Sequence, residues 1–70
     1  MRVDFLKIRS DLNKTRSEIC RKTGIAYDHL YRIEKGKANP SLEIVFRLLE
    51  GLGLEFVIID SNNEVIASQQ

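Results

Sequence analysis

Seventy residues, 43% hydrophobic and 30% charged, make one small chain near the size at which a single core barely outweighs chain entropy. One cysteine, Cys20, and one histidine, His29, exclude a disulfide framework and a Cys/His zinc site, so no metal or other cofactor is expected and oligomerisation remains as a second stabilising device. The N-terminus alternates charged and apolar residues without a signal peptide or long apolar run, so a cytoplasmic protein that does not engage a membrane is expected.

In chain order, a first helix is expected over residues 3–12, with Phe5, Ile8 and Leu12 on one buried stripe and Asn13 at its end. Residues 15–36 then read as two short helices joined by a tight turn. Thr15 with Glu18 three residues on fits a capping box, which starts a helix at Arg16. Gly24 can take the left-handed conformation that ends it. After a turn over residues 24–26, Leu30 and Ile33 form a second apolar stripe, while Tyr27, Asp28, Tyr31 and Arg32 fall on other faces, up to a stop at Gly36. Ala26 opens this helix without a side-chain oxygen and forgoes roughly 0.5–2 kcal/mol of capping, which Asp28 partly offsets through the helix dipole.

A polar loop over residues 37–39 leads to Pro40 and a fourth helix over residues 41–52, with Leu42, Val45, Leu48, Leu49 and Leu52 inward and Gly53 as the stop. Residues 54–59, LEFVII, are β-branched and aromatic and read as a strand. Residues 60–63 carry turn chemistry, and a weaker strand is expected over residues 64–67. A lone hairpin is marginal in water, and so apolar a strand is an aggregation hazard unless it pairs. Leu54, Phe56, Val57, Ile58 and Ile59 are therefore candidates for pairing with a second copy, the alternative being that Phe56 and Ile58 fold back on the chain's own helices.

The formal net charge of +1 conceals an asymmetry. Residues 1–40 hold ten Lys/Arg against five Asp/Glu, or +5, and residues 41–70 hold one against five, or −4. The basic part coincides with the two-helix segment, as phosphate neutralisation on nucleic acid requires, although a solvated mixed-charge surface would look similar.

The capped Thr15, the Thr23-Gly24-Ile25 turn, the stretch from Ile33 through Glu34, Lys35, Gly36 and Lys37, the sequence Asn39-Pro40-Ser41-Leu42 and the closing Leu52-Gly53 resemble, in order and without gaps, the XRE-type helix-turn-helix domains of phage Cro and lambda-type repressors. The resemblance covers residues 5–53. It implies a mainly α, lambda-repressor-like domain of about four helices over residues 1–53, with residues 54–70 as a strand or hairpin extension of the same domain. The chain departs from the family pattern in three places: Arg16 stands where Gln is usual, Lys14 where an apolar residue is usual, and Ala26 where Ser or Thr is usual. An apolar strand directly after the final Leu-Gly is further similar to HipB-like antitoxins, in which that strand builds the dimer.

Carried over from the family, base edges would be read by Tyr27, Asp28 and Arg32. Arg32 can donate two hydrogen bonds to guanine, Asp28 can accept from a cytosine amine, and Tyr27 can touch a thymine methyl or bond a phosphate. The competing reading of Arg32 is a surface ion pair with Asp28. Phosphate contacts would come from Thr15 and Arg16 at a helix N-terminus and from Lys35 and Lys37 beyond the recognition helix. His29 and Tyr31 are further candidates, His29 otherwise solvated and Tyr31 otherwise packed on the fourth helix. The family also pairs an Arg near the end of helix 1 with the Glu of the I-E-x-G stretch, which implies a structural ion pair between Arg9 and Glu34. Cys20 stands where the family prefers Ala and is expected to be an inert packed thiol.

No nucleophile and base can be assembled from these residues, so an enzyme is not expected. The leading expectation is a homodimeric repressor on a palindromic operator in double-stranded DNA, with a toxin kinase as partner if the Hip-type resemblance extends so far. A free-standing phage or restriction-modification regulator, and an interaction module that lost DNA binding, are the alternatives.

Overall fold

The computed structural model describes residues 3–68. Four helices, α1 (Phe5–Asp11), α2 (Arg16–Thr23), α3 (Tyr27–Glu34) and α4 (Leu42–Gly51), precede an antiparallel hairpin of β1 (Val57–Ile59) and β2 (Val65–Ser68). This is a lambda-repressor-like helix-turn-helix arrangement with a C-terminal hairpin.

Side-chain caps fix the starts of three of the four helices. Asp4 accepts from the Lys7 amide at 3.0 Å, so α1 begins at Phe5 and not at Val3. Thr15 and Glu18 complete the reciprocal capping box, and Ser41 caps α4 by accepting from the Ile44 amide. Gly24, at φ +75°, ends α2 in the left-handed region and lets the chain turn directly into α3, whose N-cap Ala26 makes no side-chain hydrogen bond.

The core is drawn from every helix: Phe5 from α1, Ile19 from α2, Leu30 and Ile33 from α3, Val45 and Leu48 from α4, with Ile25 and Leu52 from the flanking turns. Ile19, Leu30 and Leu48 are each 1% exposed, and burying such a side chain stabilises the fold by about 1.5–3 kcal/mol. Two residues expected inside are outside. Leu12 is the C-cap of α1 rather than part of it, and Leu42 is the first residue of α4, where the apolar stripe begins outside the core. Gly51 permits a close approach of α2 to α4. A Cβ there would collide with the Thr23 methyl, and Thr23 is fixed by donating from Oγ1 to the Ile19 carbonyl at 2.7 Å.

The hairpin differs from its expected limits. Residues 54–56 are not strand, because the Leu54 amide donates to the Leu49 carbonyl at the end of α4 and the Phe56 ring stacks on Phe46 with centroids 4.1 Å apart. The second strand runs one residue later than expected, through Ser68. Asp60 orders the turn, its Oδ1 accepting from the Asn62 and Glu64 amides. Ile58 faces Ala67 and Ile59 faces Val65, so Ile66 is an extra residue that makes a bulge in β2. Val57, Ile58, Ile59, Val65 and Ile66 are all exposed.

Candidate nucleic-acid interface

The two-helix unit presents one polar face. The capping box consumes the Thr15 and Glu18 amides at the start of α2, and the first turn of any helix leaves further donors pointing outward. The hydrogen bond that the Thr15 amide donates to it, followed by one from the Thr15 side chain, holds the Glu18 carboxyl below its usual range. The last turn of α2 and the first turn of α3 meet at Gly24–Ala26, which places the start of α2 and the length of α3 on a common surface.

Glu34 is the anchor of that surface. Its side chain is 1% exposed and is held by two arginines. From α1, Arg9 donates Nε to Oε2 at 2.8 Å and Nη2 to Oε1 at 2.9 Å, and its Nη1 reaches the Lys14 carbonyl at 3.0 Å. From α2, Arg16 donates Nε and Nη2 to the same Oε1 at 3.0 and 2.9 Å. Burial pushes the Glu34 carboxyl upward, but the hydrogen bonds from Arg9 and Arg16 outweigh it and hold the group below its usual range. Two guanidiniums on one carboxylate leave the cluster with a charge of +1.

Arg16 also joins the recognition helix. Its Nη1 lies 3.0 Å from Tyr27 Oη, and its Cζ sits 5.3 Å from the Tyr27 ring centroid and 5.0 Å from that of Tyr31. Lys35 extends the stack, with Nζ 5.6 Å from the Tyr31 centroid. Burial works against the Arg16 charge, yet its hydrogen bonds to Tyr27 and Glu34 raise its pKa further above the ordinary guanidinium value.

The residues expected to face DNA divide accordingly. Tyr27, Asp28, Tyr31 and Arg32 are exposed along α3, Lys35 and Lys37 are exposed just after it, Thr15 is exposed at the start of α2, and His29 is half-buried. Asp28 and Arg32 form no ion pair, so the competing reading of Arg32 is not realised. Tyr31 lies against Arg16 and Lys35. The Arg16 guanidinium, expected at a phosphate, is also committed to Glu34 and Tyr27, with its side chain 17% exposed. That role was missed from sequence. The available signals were the departure from Gln at this position and the i, i+4 spacing of Tyr31 and Lys35.

Of the candidates for pairing with a second copy, Leu54 and Phe56 are half-buried on the chain's own helices, whereas Val57, Ile58 and Ile59 are exposed. Cys20 is half-buried against the core, and burial raises its thiol pKa. Among the described residues there is no group of three or more His, Cys, Asp or Glu that could hold a metal ion, and no helix long and apolar enough to cross a membrane.

The chain is 31% identical over 48 residues to an uncharacterized HTH-type transcriptional regulator of Archaeoglobus fulgidus, covering 69% of this chain and 68% of the relative. It is 32% identical over 54 residues to one of Methanocaldococcus jannaschii, covering 74% and 82%, and 30% identical over 57 residues to one of Methanothermobacter thermautotrophicus, covering 81% and 83%. No solved structure matches. Residues 6–59 match the helix-turn-helix family from the second residue of α1 through the end of β1, and the chain belongs to that family, in its XRE type.

Proposed function

We propose that the protein is a homodimeric transcriptional repressor that binds a palindromic operator, each protomer laying α3 in the major groove about one DNA turn, ~34 Å, from its twin. Tyr27, Asp28 and Arg32 face base edges. Thr15, His29, Tyr31, Lys35 and Lys37 flank the phosphates, and the Arg16 cluster adds its positive charge beside them. The observation that carries this reading is the solvent-facing side of α3, where Arg32 stands exposed and unpaired among the described residues while Leu30 and Ile33 fix the opposite side in the core. The names of the relatives, all HTH-type transcriptional regulators, agree with it.

Pairing is assigned to the hairpin, whose apolar residues the protomer itself leaves uncovered. The same feature supports a narrower identity as the antitoxin of a Hip-type pair. In that case the protein would form a stable complex with a toxin kinase on co-expression and would repress the promoter of both genes; a kinase that neither binds nor is neutralised argues against it.

Arg32→Ala tests the reading of DNA. Loss of about 1–3 kcal/mol on the preferred duplex, with relaxed choice at one base pair, is expected. Equal losses on every duplex would reduce Arg32 to a phosphate contact.

A further inference from the structure

A guanidinium has five N–H donors and no acceptor. In the contact between Arg16 Nη1 and Tyr27 Oη, at 3.0 Å, the phenol oxygen is therefore the acceptor and its hydrogen must point elsewhere. Arg16 cannot swing away freely, because Nε and Nη2 are tied to Glu34 Oε1, and Arg9 holds the same carboxylate from the other side. The Tyr27 and Tyr31 rings lie against the guanidinium. Tyr27 itself is 51% exposed, on the first turn of α3, and its hydroxyl donates to no described residue.

We infer that Arg16 is a positioning residue that makes the Tyr27 hydroxyl a one-way hydrogen-bond donor, so that α3 selects an acceptor atom on DNA at that place. The inference rests on the reading of α3 as the element that meets DNA. A hydroxyl is ordinarily ambivalent and tolerates donors and acceptors alike. With its oxygen engaged by Arg16, Tyr27 favours the O6 or N7 of guanine, the N7 of adenine, the O4 of thymine or a phosphate oxygen, and it meets the exocyclic amines of cytosine and adenine with the wrong polarity. Glu34 then does more than lock α1 to α3: through Arg16 it fixes the polarity of a contact on the DNA-facing surface. A Gln at position 16 would lack this directionality, since its amide both donates and accepts.

The test uses the full chain and the duplex it prefers after selection from a random pool. Wild type, Tyr27→Phe and Arg16→Met, the last leaving Glu34 paired with Arg9, are titrated on that duplex and on versions carrying single 7-deazapurine, base-pair or methylphosphonate replacements. One replacement is expected to weaken wild type about two- to tenfold, the size of one neutral hydrogen bond. The same replacement should cost Tyr27→Phe nothing and Arg16→Met markedly less than wild type. If the sensitive replacement is a base, the acceptor is on a base edge; if it is a methylphosphonate, the acceptor is a phosphate oxygen. A purely structural Arg16 would lower affinity for all duplexes by one factor and keep the full sensitivity of wild type, and that result overturns the inference, as does a Tyr27→Phe profile identical to wild type. Wild type with no sequence preference would overturn the functional reading itself and the inference with it.

Discussion

The helical body and the hairpin treat apolar side chains in opposite ways. Ile19, Leu30 and Leu48 are 1% exposed, whereas Val57, Val65 and Ile66 are 55%, 61% and 65% exposed although they lie in paired strands. The body closes its own core, caps α2 through Thr15 and Glu18, and holds α2 and α3 together through the buried Glu34 cluster. The hairpin pairs its two strands with each other, orders its turn through Asp60, and then leaves both faces of β1 in water. The buried cluster lies beneath the surface proposed to meet DNA, and the uncovered apolar area lies where the proposed second copy would join. The bulge at Ile66 distorts the outer edge of β2, which favours β1 as the edge that a second copy would join.

The largest effect is expected from charging the hairpin. Ile58→Lys with Val65→Lys removes two apolar side chains from each protomer's contact, at about 1.5–3 kcal/mol for each one fully buried, and should leave a folded monomer in sedimentation. A dimer that survives with unchanged affinity would move the interface elsewhere. The body should respond in the opposite sense, losing stability without a change in association.

Glu34→Gln leaves two arginines facing a neutral group and should cost about 3–5 kcal/mol, close to the whole stability of so small a domain, read as a loss in denaturant midpoint. The pH dependence has a definite sign. Because the Glu34 carboxyl is held below its usual range in the folded state, its stabilisation is complete above the ordinary carboxylate value, about 4.3, and is lost as pH falls through the lower folded value. That acid loss should be reduced in Glu34→Gln; an unchanged acid limb would show that the cluster does not govern acid stability.

Gly51→Ala should cost about 1–2 kcal/mol, overpacking against Thr23 exceeding the gain in helix propensity. Adding Thr23→Ser, which deletes the colliding methyl and keeps the hydroxyl that bonds Ile19, should recover most of the loss. Without that recovery, the α2–α4 contact is not what requires glycine.

What could be read from sequence follows the range of the forces involved. The capping box, the Gly24 turn and the order of helices depend on residues within one or two turns, and they were legible. Leu12 and Leu42 were misplaced because a stripe extrapolated to a helix end ignores where the helix stops. Phe56 was ambiguous because its partner Phe46 sits ten residues back on another element, off the expected inner face of α4. The second arginine on Glu34 was hidden for the same reason. Arg16 and Glu34 are eighteen residues apart, and only the fold brings Tyr27 between the start of α2 and the solvent side of α3.

Whether α3 reads a symmetric site through a dimer is tested most directly by selection of duplexes from a random pool with the purified chain. The predicted result is an enriched palindrome with half-sites centred about one helical turn apart, ~10 base pairs. Enrichment of a single half-site would contradict the dimer, and no enrichment at all would contradict the reading of DNA by α3.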